Sequence, residues 1–202
     1  MKLYRPATIL VGVLFVLLGG LFRLADPEQV FGTDSNLKVV SGTVGQPLVF
    51  GGTESTVEVT RVAFARTIVS ADASSDDKPI ESNGVFVAIE WDTVRGVQDP
   101  GAFHATLITD GDSVYTEVSD PTDSGMDFPD TGFARTGAIV FEVNPADLKG
   151  LTLRLEPSML WNVYNSEVRV DLGVPTEEIA QKMVDEADDQ YVIDDPVTRV
   201  AS

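Results

Sequence analysis

The chain has 202 residues, 43% of them hydrophobic, and sets 32 acidic against 14 basic side chains for a formal net charge of −18. Length and apolar content suit one globular domain with extensions rather than a disordered chain. The acidity excludes nucleic-acid binding, which needs cationic surface to displace phosphate counterions, and it fits solubility, cation attraction or a basic partner.

Cysteine is absent and histidine occurs once, at His104. Disulfides, thiol catalysis, thiolate metal sites, a lipid-modified N-terminal cysteine and multi-histidine metal sites are thereby excluded. A cysteine-free exported protein is commoner in bacteria than among small secreted animal domains.

"MKLYRPATILVGVLFVLLGGLFRLADPEQ" opens with Lys2 and Arg5 and runs apolar from Ala7 to Phe22, ending at Arg23. With Arg23 snorkelling, residues 1–26 are long enough to span a bilayer as an N-terminal anchor. Lys2 and Arg5 on the short side keep the N-terminus cytoplasmic and put the rest of the chain outside. The competing reading is a cleaved signal peptide and a secreted protein. Cleavage after Ala25 would place Arg23 where a small residue is wanted, so the anchor is preferred.

Residues 27–36 read as a polar linker, and from residue 37 to 174 the apolar period is two. Expected strands are Leu37–Val40, Pro47–Phe50, Thr56–Ala65, Gly84–Thr93, Phe103–Thr109, Ser113–Val118, Ala134–Val143, Leu151–Glu156 and Glu167–Leu172. In Thr56–Ala65 the alternation slips after Val59, the mark of a bulge. "SADASSDDKPIESNG" reads as a polar loop. In "GVFVAIEWDT", Val85, Val87, Ile89 and Trp91 point one way while Phe86 and Ala88 point the other, which suits a central strand. About eight or nine short strands with no long helix between them predict an all-β, antiparallel β-sandwich.

After Pro175, Thr176 is placed to cap a helix whose first turn holds Glu177 and Glu178. Ile179, Ala180, Met183, Val184 and Ala187 make one stripe, and the helix should end near Asp188. Residues 175–202 thus form an acidic helix and an extended tail. The stripe is expected to pack on the sandwich; docking on a partner or loose order are the alternatives.

Candidate chemistry is sparse. Asp120, Asp123, Asp127 and Asp130 crowd one loop, and such carboxylates repel unless solvated or bridged by a cation. They are candidate Ca2+ ligands, against the plain reading of an acidic loop in an acidic protein. A melting temperature unmoved by Ca2+ would exclude the cation. Asp110 and Asp112 in "TDGDSVY" resemble the start of a calcium loop, but flanking strands make a hairpin turn the better reading. "FPDTG" lacks the leucine-type start and the basic tail of a sorting signal. His104 has no nucleophile elbow to serve. Some pair of carboxylates could cleave glycosides, although proximity means little among 32 acidic residues. Trp91, Trp161, Tyr164 and Phe86 are expected in the core rather than on a binding face.

Three stretches, "GVFVAIEWDTV", "ATLITDGDSVYTEV" and "GFARTGAIVFEVNPADLKGLTLRLEP", share the order of features of a bacterial family. Over roughly residues 37–174 the chain resembles extracytoplasmic immunoglobulin-like domains of unknown function, and it is similar to a small secreted mycobacterial immunogenic antigen. The resemblance implies an immunoglobulin-like sandwich, tethered or secreted, and carries no catalytic residue. The chain lacks the lipobox cysteine of the lipoprotein members, and the C-terminal helix has no counterpart. The reading that follows is a non-enzymatic envelope protein bound to the membrane by its N-terminal helix. Its partner would be an envelope protein, met through the C-terminal helix or a sandwich face. A cation- or ligand-binding surface sensor is the alternative, and a carboxylate hydrolase comes last.

Overall fold

A computed structural model describes residues 38–74, 76, 78–119, 125–158 and 166–201. The expected anchor (1–26) and linker (27–36) lie outside them, and no helix among the described residues is long and apolar enough to cross a membrane.

The elements in chain order are β1 (Lys38–Thr43), β2 (Leu48–Val49), β3 (Thr56–Ser70), β4 (Ile80–Val94), β5 (Phe103–Ile108), β6 (Val114–Thr116) and β7 (Phe133–Val143). A single 3-10 turn (Pro145–Asp147) follows, then β8 (Thr152–Pro157), β9 (Ser166–Asp171), helix α1 (Glu177–Asp185), β10 (Asp188–Ile193) and β11 (Val197–Val200). They build a β-sandwich of a five-stranded sheet, β1-β9-β8-β5-β6, and a six-stranded sheet, β10-β3-β4-β7-β11, with β2 also pairing β3.

Alternation decides which side chains enter the space between the sheets. Val85, Val87, Ile89 and Trp91 of β4 and Ile139, Phe141 and Val143 of β7 meet Leu153 and Leu155 of β8 and Val168 and Val170 of β9 in one core. Trp91 lies opposite Gly137 on β7. A Cβ at Gly137 would come within 2.7 Å of Trp91 Cζ2, so the indole needs a residue without a side chain beside it. The other face of β4 carries Phe86 and Ala88, which join Ala63, Ile68, Val140 and Ile193 in a second buried cluster.

The slip read after Val59 is a register shift between Val59 and Arg61, and a second shift lies between Ala65 and Thr67. Each extra residue turns the following side chains to the other face. Phe64 therefore points into the main core while Ile68 joins the outer cluster. The strands also outrun their expected ends: β3 continues to Ser70 and β4 begins at Ile80, so the polar loop between them is shorter than its composition suggested.

Two pairings correct the expectation of a wholly antiparallel sandwich. β1 runs parallel to β9, and β10 runs parallel to β3. Parallel neighbours need a long connection between them. Most of the domain separates β1 from β9 and β3 from β10, so both pairings are open to the chain.

The C-terminal region is the second correction. α1 starts as expected: Thr176 Oγ1 accepts a hydrogen bond from the Ile179 amide at 3.3 Å. It stops at Asp185 rather than near Asp188, because Asp188 already pairs with β3 as the first residue of β10. The apolar stripe packs on the sandwich, with Ala180 buried and Ile179, Met183, Val184 and Ala187 against the core. The expected tail is two strands, β10 beside β3 and β11 antiparallel to β7, one at each edge of the larger sheet.

Candidate binding site at the open edge of the larger sheet

Of the four loop aspartates read as candidate cation ligands, Asp120 and Asp123 lie outside the described residues. Asp127 is held in an ion pair, its Oδ2 2.8 Å from Arg135 Nη1. Asp130 sits in the turn into β7, where its carbonyl accepts from the Phe133 amide at 3.0 Å. No group of three or more acidic or histidine side chains placed to hold a metal occurs among the described residues.

That segment is fastened to the sheet by several polar contacts. Thr93 Oγ1 donates to the Asp127 carbonyl at 2.7 Å, and Arg95 Nη1 donates to the Pro129 carbonyl at 3.3 Å. Arg95 also pairs with Asp99 at 3.1 Å. Phe128 stacks edge-on to Phe50 and Phe103, with ring centroids 5.6 and 5.7 Å away, a favourable aromatic geometry. The acidic loop thus ends in a wall fastened to the sheet, in which Asp127 is paired and Asp130 stays exposed.

Between this wall and the end of the larger sheet lies an open groove of about 360 Å3, lined by Phe128, Pro129, Asp130, Phe133, Arg135 and Thr198. Its floor is the inward face of the β7–β11 ribbon, since Thr198 lies opposite Arg135 and Val200 opposite Phe133. β11 is the terminal strand of its sheet and is exposed along its whole length. Val197 is 60% and Val200 73% exposed. Arg199 is tied back through an ion pair with Asp92 on β4, and Thr136 Oγ1 donates to the Val197 carbonyl at 3.5 Å.

The remaining sequence candidates serve the fold. Asp110 and Asp112 form the β5–β6 hairpin turn, in which Asp112 takes φ 59°, a left-handed conformation that aspartate tolerates. Asp147 accepts hydrogen bonds from Tyr115 OH at 2.6 Å and Ser113 Oγ at 3.1 Å, which binds the 3-10 turn to that hairpin. Burial, reinforced by the Asp147 carboxylate, raises the Tyr115 pKa. His104 is an exposed residue of β5 opposite Glu156. Trp91 and Phe86 are buried, while Trp161 and Tyr164 lie outside the described residues. A second cleft, about 380 Å3, opens beside α1 and is lined by residues including Val44, Val62, Phe64, Leu172 and Met183.

Sequence reasoning missed Arg95, Arg135 and β11. The signal for β11 was present in Val197, Thr198 and Val200, three β-branched residues in four, but four residues after a proline read as a tail.

No family model matches the chain, and no curated protein matches it. A solved structure of an uncharacterized β-sandwich protein from Clostridium difficile 630 is similar over 66% of this chain and 94% of its own, at 11% identity and a TM-score of 0.38. Likeness at that level supports neither a family nor a function. The chain's own two sheets define its class, a β-sandwich with one short helix among the described residues.

Proposed function

We propose that the chain is a non-catalytic binding or assembly module, an immunoglobulin-like domain of the extracytoplasmic family it resembles. It is held at the outer surface of the cell membrane by the apolar segment Ala7–Phe22 and serves as an accessory component of an envelope membrane complex. The observation that carries this reading is the exposed strand β11, paired with β7 on one side and with no strand among the described residues on the other, beside a groove of about 360 Å3. An open strand edge offers unpaired backbone donors and acceptors, and exposed edges of this kind are where proteins add a partner strand. The charge-free N-terminal run behind Lys2 and Arg5 supports the anchored, N-terminus-in topology.

Affinity purification of the full chain from mild detergent tests the reading. A stoichiometric envelope protein is the expected companion, and a clean monomer would count against the proposal. A C-terminal reporter active only outside the cytoplasm should signal; silence would reject the topology.

A further inference from the structure

The pairing of β11 with β7 fixes which backbone groups of β11 are free. The Ala201 amide donates to the Gly132 carbonyl at 3.0 Å, continuing the register in which Val200 faces Phe133. In an antiparallel ladder hydrogen-bonded pairs alternate with non-bonded ones. Arg199 and Val197 therefore bond to β7, and Thr198 and Val200 turn their N–H and C=O groups to the open side. The side chains of those same two residues lie on the groove face, Thr198 lining it and Val200 beside Phe133. An added strand would meet hydrogen-bonding groups at its backbone and apolar surface, from Phe128, Phe133 and Val200, at alternate side chains.

Charge selects the kind of strand. Asp194 and Asp195 stand exposed just before β11, and Asp130 stands exposed beside its far end, next to the start of β7. None of the three has an ion-pair partner among the described residues. Carboxylates thus bracket the edge at both ends. Antiparallel pairing of two copies through β11 would set Asp194 and Asp195 of one beside Asp130 of the other, on chains that each carry −18. Like charges so placed oppose self-association.

We propose that β11 receives an extended strand of a partner protein in which apolar residues alternate with polar ones and lysine or arginine flanks each end. The inference rests on the binding-module reading and names its surface and the chemistry of its partner.

Fluorescence anisotropy of a labelled Lys-Val-Thr-Val-Thr-Val-Lys peptide, titrated with the full chain in mild detergent at low salt, tests it. Saturable binding is expected, about tenfold or more tighter than for Glu-Val-Thr-Val-Thr-Val-Glu. Thr198→Pro removes an outward N–H that β7 does not use, so it should weaken the basic peptide about tenfold without moving the melting temperature. Should that variant fail to fold, a basic peptide N-methylated at alternate amides gives the same readout on the unaltered chain, and it should bind about tenfold more weakly. Equal affinity for the basic and acidic peptides, indifference to both Thr198→Pro and N-methylation, absence of binding, or self-association through β11 would each overturn the inference. A captured envelope partner whose binding survives Thr198→Pro would sink the edge and leave the binding-module reading standing. A chain that captures nothing would sink that reading itself.

Discussion

Phe141 is fully buried between the sheets, with Val87 and a bridge to Glu117 as its neighbours across the strands. A carboxylate there would lose its hydration with no cation to replace it, a cost that exceeds what a marginally stable domain can absorb. Phe141→Asp is therefore expected to abolish the cooperative thermal transition, whereas Phe141→Ala should cost about 3–5 kcal/mol and still fold. A folded, cooperatively melting aspartate variant would refute the core assignment. Tyr191 makes a subtler case. Its hydroxyl donates to Glu90 Oε1 at 3.2 Å, and Glu90 also pairs with Arg61 at 2.9 Å. Burial, helped by the Glu90 charge, raises the Tyr191 pKa above its ordinary value. Below about pH 10 both folded and unfolded chains hold the proton, and the stabilisation is fully present. Above it the unfolded chain ionises while the folded one keeps its proton, so stability falls as pH rises. The melting-temperature advantage of the native chain over Tyr191→Phe should stay level from about pH 8 to pH 10 and shrink from there to about pH 11. An advantage constant across that range would contradict the assignment.

β10 and β11 show where local pattern and tertiary structure part. β4, β7 and β8 were legible because each has a core face written in alternation: Val85, Val87, Ile89 and Trp91; Ile139, Phe141 and Val143; Leu153 and Leu155. The brace of the turn before β8 was legible too, for the Asn144 side chain accepts from the Ala146 amide at 3.1 Å just ahead of Pro145. β10 had no such writing. In "DDQYVI" only Ile193 is buried, and what makes it a strand is the distant edge of β3, visible only once the chain is folded. The same holds for the groove, whose Arg135 and Thr198 come from strands far apart in sequence. Of the cation-site residues, crowding along the chain hid that Asp127 would face Arg135 across a turn. If β10 is a true sheet strand, Ile193→Ala should cost about 2–5 kcal/mol. Val192→Ala, 48% exposed, should cost under about 0.5 kcal/mol. Chemical denaturation reads both, and equal small effects would return residues 188–193 to the status of a tail.

At the scale of the whole molecule, two facts combine: a sandwich whose larger sheet ends in an exposed strand, and a formal net charge of −18, which opposes self-association. Exposed strand edges invite indiscriminate pairing unless something restricts them. Here Pro196 leaves no N–H just before β11, and carboxylates with no ion-pair partner among the described residues flank the edge, so a basic, alternating strand is the partner that both backbone and charge admit. Amide hydrogen exchange along β11 tests this most directly. In the free chain Arg199 and Ala201 should be protected while Thr198 and Val200 exchange quickly, and the basic peptide should slow Thr198 and Val200 without altering the other two. Uniform protection in the free chain, or no change at Thr198 and Val200 with peptide bound, would contradict an open edge built to take a partner strand.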